Sequence, residues 1–207
     1  GETREGLPHG RGTLAGADGS LYTGQWRRGP PRGRGVYRGP NGDQYVGEFA
    51  WGELEGFGVF TGVEGDRYEG EWRAGRQHGR GKYDWADGRV YRGEFHDGMK
   101  WGEGELRLAD GGRHVGRFER DLPHGPGTRT EADGSRYEGE WAHGRPHGRG
   151  LMRWPDGREY EGVCAAGRAE GEGEMRWPGG ERYVGQWRAD APHGRGVHTS
   201  PDGPSYA

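Results

Sequence analysis

Long apolar runs, cysteine and any excess of charge of one sign are what this chain has least of. No stretch is long and apolar enough to span a bilayer as a helix, and no signal-peptide pattern opens the chain. A single cysteine, Cys164, excludes an intramolecular disulfide framework and fits a reducing, intracellular compartment. The net charge is only −3, with acids and bases interspersed, so no long-range field favours nucleic acid or an anionic membrane over other partners. Only 29% of the 207 residues are apolar, which argues against an ordinary compact globule.

Glycine and aromatic rings take their place. There are 48 glycines and 12 prolines, a content that would suggest low complexity if the aromatics were not in strict register. Tyr22, Tyr45, Tyr68, Tyr91, His114, Tyr137, Tyr160 and Tyr183 recur every 23 residues without an insertion. A glycine follows each by two positions, and Trp or Phe usually follows by four. A fixed period of this size marks a repeat array. Full repeats span 22–44, 45–67, 68–90, 91–113, 114–136, 137–159, 160–182 and 183–205, after a partial repeat at 1–21. Tyr206-Ala207 starts a further one, so the chain reads as one continuous domain, 1–207, belonging to a longer array.

Within a repeat, Tyr-x-Gly-x-Trp has the alternation of a short strand, and Gly-x-Gly-x-aromatic-x-Trp that of a second. Asp-Gly at 87–88, 110–111, 133–134, 156–157 and 202–203 supplies the reversal between repeats. The pattern therefore predicts an all-β fold: consecutive antiparallel hairpins in one long, twisted or curved, single-layer sheet, advancing roughly 10 Å per hairpin to about 80–90 Å. One face should carry Tyr137, Gly139, Trp141, Gly148, Gly150, Met152 and Trp154 with rings lying on glycine backbone, and the other mostly charge. Glu71 with Arg80 or Lys82, and Glu140 with Arg149, are placed for cross-strand ion pairs. Open strand edges at the two ends would be capped, continued or paired, so self-association there is expected.

Tyr-Glu-Gly-Glu-Trp at Tyr137–Trp141, His-Gly-Arg-Gly at His147–Gly150 and Trp-Pro-Asp-Gly at Trp154–Gly157, at this period, resemble the MORN repeat, the membrane occupation and recognition nexus motif. The resemblance covers essentially the whole chain and implies a non-catalytic role. It suggests a scaffold in a cytoskeletal or ciliary assembly of the radial-spoke kind, or an arm attached to an enzyme, and hence a cytoplasmic, cytoskeletal or cilium-associated protein. The resemblance implies that a partner helix lies along the concave face, as in some members, or that phosphoinositides are bound, as proposed for others. Departures occur at His114 for the first Tyr, Cys164 for Trp, Asp121 and Asp190 for the hairpin-loop glycine, and Arg129 and His198 for the second-strand aromatic, so the repeats starting at 114 and 160 should pack less well.

The expected partner-binding residues are the aromatic face: Tyr22, Trp26, Tyr45, Phe49, Tyr68, Trp72, Trp85, Tyr91, Phe95, Tyr137, Trp141, Trp154, Tyr160, Trp177, Tyr183 and Trp187. Partners are then proteins, through a helix or extended segment. A second apolar patch falls on the charged face at Val36, Val46, Phe57 and Val59, with Trp51 at the hairpin loop; it is either an interaction site or surface covered by its neighbours. Arg27, Arg28, Arg32 and Arg34 form the one dense basic run, either a solvated loop or an anionic-lipid site.

Catalysis and cofactors have no candidates. Gly-x-Gly lacks the following helix and lysine of a phosphate loop. His9, His78, His124, His147 and His193 share one repeat position, which spaces neighbours about 10 Å apart, too far to converge on one metal.

Overall fold

The computed structural model describes residues 1–201 and 203–206. Asp202, half of the expected 202–203 turn, and Ala207, at the start of the expected further repeat, lie outside the described residues. Backbone contacts divide the chain into two compact units, residues 1–102 and residues from Glu103 onward. The described residues contain strands and turns and no helix.

The first unit opens with a small ladder of β1 (Thr3–Arg4) and β2 (Leu7–Pro8). A single-layer antiparallel sheet follows, of β3 (Gly10–Ala15), β4 (Leu21–Trp26), β5 (Pro31–Arg38), β6 (Gln44–Ala50), β7 (Glu53–Thr61), β8 (Arg67–Arg73), β9 (Arg76–Asp84) and β10 (Val90–His96). Strand β11 (Met99–Arg107) runs across the division. The second unit repeats the design with β12 (Arg113–Glu119), β13 (Leu122–Thr130), β14 (Arg136–Ala142), β15 (Arg145–Arg153), β16 (Glu159–Ala165), β17 (Arg168–Arg176), β18 (Arg182–Arg188), β19 (Ala191–Ser200) and β20 (Gly203–Tyr206). From β3 to β10 and from β12 to β20, each strand pairs with its neighbours in sequence, as the hairpin pattern predicts.

Register puts glycine opposite glycine. Tyr137 faces Met152 and Gly139 faces Gly150 across β14 and β15, and Gly150 then faces Gly162 across β15 and β16. The glycines are obligatory because the tyrosine ring occupies the space above them. A Cβ added at Gly81 would lie 2.5, 2.6 and 2.7 Å from three atoms of the Tyr68 ring and hydroxyl, closer than any real Cβ contact. The expected ring-on-backbone packing is thus present at Gly139 and Gly150, under Tyr137, whereas Gly148 lies against the Glu140 side chain.

Two kinds of reversal join the strands. In the hairpin loop both central residues are left-handed, as Ala74 (φ 47°) and Gly75 (φ 75°) illustrate, the geometry of a type I′ turn. Asp121 and Asp190 hold the same conformation at φ 70° and 71° where other repeats have glycine, which aspartate tolerates better than most residues. Between repeats the Gly88 N–H donates to the Trp85 carbonyl (3.0 Å), while the Asp87 carboxylate accepts the Arg89 N–H (3.0 Å).

The expected cross-strand ion pairs do not form, and Glu71 puts its carboxylate to a different use. Between Gly70 and Glu71 the ladder shifts, so that Gly79 and Arg80 bulge out of register with β8. The Glu71 carboxylate accepts the Arg80 backbone N–H at 2.9 Å instead of pairing with its guanidinium, and Lys82 pairs with Asp84 at 2.7 Å. Gln25 and Gln186 serve the same bulge through the N–H groups of Arg34 (2.8 Å) and Arg195 (3.0 Å). A neutral amide replaces a carboxylate here without loss, so the position requires an acceptor rather than a charge. Among the described residues Glu140 and Arg149 form no ion pair.

Candidate partner-binding face

On the tyrosine face, each unit has a core one ring wide. Tyr68 meets Trp72 of its own strand edge-on at 5.1 Å and Phe95 of the next repeat at 5.0 Å, and Tyr45 meets Phe49 and Trp72 at 5.2 Å each. Edge-to-face geometry at these spacings is the favoured one. Polar ends of the rings are also satisfied. The Tyr68 hydroxyl donates to the Glu71 carbonyl (2.9 Å), and the indole N–H of Trp72 donates to the Gly58 carbonyl (3.2 Å). Trp141 and Trp187 repeat that bond with Gly127 and Gly173, at 3.1 Å each. Burial pushes the Tyr45 phenol up to about 12.

This arrangement consumes most of the residues expected to bind a partner. Tyr22, Tyr45, Phe49, Tyr68, Trp72, Tyr91, Phe95, Tyr137, Trp141, Tyr160, Tyr183 and Trp187 are all buried, and they are the core. From that set, Trp26, Trp85, Trp154 and Trp177 remain partly exposed. Trp26 belongs to the column, edge-on to Tyr22 at 5.2 Å, while Trp85, Trp154 and Trp177 with Tyr37, Phe60, Tyr83 and Met152 form a second tier above it. Tyr37, Phe60 and Tyr83 went unselected by sequence reasoning, although the signal existed: each lies fifteen residues after its repeat's first tyrosine.

Cations cover the outer tier. The Arg89 guanidinium lies 5.0 Å and the Lys100 ammonium 5.4 Å from the Trp85 ring centre, and Arg158 lies 5.3 Å from that of Trp154. Tyr83 stacks on Trp85 at 4.4 Å and donates to the Asp66 carboxylate at 2.9 Å. The face is therefore aromatic in its floor and charged at its rim.

The departures fill their places differently. His114 is 1% exposed, stands edge-on to Phe118 (5.1 Å) and Trp141 (4.8 Å), and neither ring nitrogen has a hydrogen-bond partner. Burial pushes its imidazole down to about 4, with the Arg129 guanidinium adding to the effect. Cys164 is also 1% exposed, and burial pushes its thiol up to about 11. Beside it Asp190 accepts the Ala169 N–H at 2.8 Å.

On the opposite face Val36, Val46 and Val59 lie in adjacent cross-strand positions, Val46 46% exposed and Phe57 53% exposed. Trp51, 71% exposed and left-handed (φ 54°), stands apart on the hairpin loop with the Arg32 guanidinium 4.9 Å from its ring centre. Arg27, Arg28, Arg32 and Arg34 are all exposed. The histidine column does not meet itself: His78 lies 4.9 Å from His96, which belongs to a different repeat position. Among the described residues no three His, Cys, Asp or Glu side chains are grouped to hold a metal ion, and no helix is long and apolar enough to cross a membrane.

The model of the MORN repeat matches residues 1–21, 22–44, 45–67, 68–88, 91–113, 114–136, 137–157, 160–182 and 183–205. The chain belongs to the MORN-repeat family. A search of curated proteins finds no match. Among solved structures, this MORN array is similar to the TCP10 domain of Danio rerio CPAP in complex with a STIL peptide. The TM-score is 0.50 at 13% identity, over 96% of this chain and 84% of that one. It is also similar to the Drosophila melanogaster SAS-4 (dCPAP) TCP domain in complex with a proline-rich motif of Ana2 (dSTIL), at TM-score 0.46 and 13% identity, over 86% of this chain and 90% of that one. At such identities the likeness is one of fold.

Proposed function

We propose that this MORN array is a non-enzymatic scaffold that holds protein partners on its tyrosine face, within a cytoskeletal or ciliary, radial-spoke-like assembly. One observation carries the reading. The aromatic column is already complete as a core, yet a second tier that includes Trp85, Trp154 and Trp177 stays partly exposed above it, apolar surface that a partner can cover. The zebrafish CPAP domain, similar in fold, was solved with a peptide of its partner protein. A segment of a partner protein is the corresponding occupant here.

The test uses the outer tier, because the buried tryptophans report on stability. Trp85→Ala, Trp154→Ala and Trp177→Ala in one chain should leave the β-sheet circular dichroism intact and remove partners captured from a ciliated-cell extract. An unchanged set of captured proteins would sink the reading.

A membrane tether is the second reading, favoured by the exposed Trp51 beside Arg32, an amphipathic ring paired with a cation at one loop. Sedimentation with phosphoinositide vesicles at low and physiological salt decides it. Binding that Arg32→Glu and Trp51→Ala both weaken supports it, and absence of binding at either salt removes it.

A further inference from the structure

The second tier lacks apolar side chains in the repeat that starts at 114. Arg129 and Glu131 stand where the next repeat has Met152 and Trp154 and the one after it Met175 and Trp177. With no large apolar side chain at either position, a cavity of about 250 Å³ opens between them and the Met152–Trp154 wall. Tyr137 and Trp141 line its floor, and Gly144 and Pro146 line it on the hairpin side. An enclosed space of roughly 150 Å³ is enough to hold a benzene ring in another protein, so this one has room for one large apolar side chain.

The rim selects what surrounds that side chain. Arg129, Arg136 and Arg153 line the cavity, against one carboxylate, Glu131. Arg129 is answered by Glu131 at 2.7 Å, while Arg136 and Arg153 reach Glu138 (2.9 Å) and Glu159 (2.8 Å). The Arg136 and Arg153 pairs are largely solvent-exposed and worth little individually, so an incoming carboxylate can replace them at small cost, whereas Arg129 is only partly exposed. A cationic neighbour would meet three guanidiniums.

We propose that the cavity between Arg129 and Trp154 is a docking site for a linear peptide segment that inserts one large apolar side chain flanked by aspartate or glutamate. The assignment rests on the reading of the tyrosine face as the partner-binding face. It gives that face a position of specificity, at the repeat that departs from the others.

Random twelve-residue peptides displayed on phage and selected on the intact chain supply the probe. The expected outcome is a shared aromatic or leucine with adjacent Asp or Glu. Glu131→Trp, which refills the gap with the residue of the neighbouring repeats, should weaken the selected peptides about tenfold or more, the effect of excluding one apolar side chain. Arg153→Glu, at the exposed rim, should do the same through charge and serves as the probe if Glu131→Trp lowers the melting temperature. Trp85→Ala, in the other unit, should leave their affinity unchanged. Selected peptides without acidic residues, or unmoved by both variants, overturn the cavity assignment. If those peptides are weakened by Trp85→Ala or Trp177→Ala, the partner-face reading survives. A library from which nothing is enriched overturns both.

Discussion

The hydroxyl of Tyr68 donates at 2.9 Å to the carbonyl of Glu71, three residues ahead in its own strand, at the point where the ladder slips. The same bond recurs from Tyr22, Tyr45, Tyr91, Tyr137, Tyr160 and Tyr183. One side chain thus covers two glycines and ties down the bulge. Tyr68→Phe keeps the ring and loses the tie. It should cost about 0.5–1.5 kcal/mol in chemical denaturation. A loss near zero would mean that water replaces the hydroxyl without penalty.

Glycine substitutions should divide sharply by what lies above them. Gly81→Ala drives a methyl into the Tyr68 ring and should destabilise by about 1–3 kcal/mol, as overpacking does. At Gly179 a Cβ meets nothing within 4 Å, and Gly179→Ala should fall within about 0.5 kcal/mol of the parent. Equal effects from the two would refute ring-on-backbone packing as the reason for the glycines.

His114 makes the second unit acid-sensitive. Its folded pKa of about 4 lies below the ordinary value of 6.5, so the unfolded chain binds the extra proton first. The associated stability is fully present above pH 6.5 and is lost as pH falls toward 4, on the order of 3 kcal/mol. Melting curves at pH 7.5 and 5.0 should show a larger drop for the parent than for His114→Tyr, which restores the ring found in the other repeats. Equal drops would assign the acid sensitivity to carboxylates elsewhere.

Cys164 should be chemically silent while the chain is folded. With 1% exposure and a thiol pushed up to about 11, it offers an aromatic disulfide reagent neither access nor thiolate at pH 8. Labelling should follow unfolding, becoming fast only in denaturant. A burst of labelling in the native protein would show that the second unit opens at this repeat.

Much of the fold was legible because each repeat obeys one local rule many times over. Alternation of Tyr, Gly and Trp fixed the strands and their faces, Asp-Gly fixed one reversal, and equal spacing fixed the pairing. The two charged pairs expected at Glu71 and Glu140 were misjudged for a physical reason: alternation assumes a regular ladder, the ladder shifts register at both places, and at Glu71 the carboxylate takes the backbone N–H of Arg80. The aromatic face was legible but the burial of its rings was not, since a repeating aromatic looks the same in sequence whether it packs on its neighbour or faces solvent.

Periodicity, then, determined the hairpins and the side on which the rings lie, because those depend on residues within one repeat. Only the tertiary structure decided which rings are core, which are surface, and that Arg129 and Glu131 leave a cavity beside Trp154. Burial depends on how adjacent repeats stack, and a gap is made by the absence of side chains that only the neighbouring strand reveals.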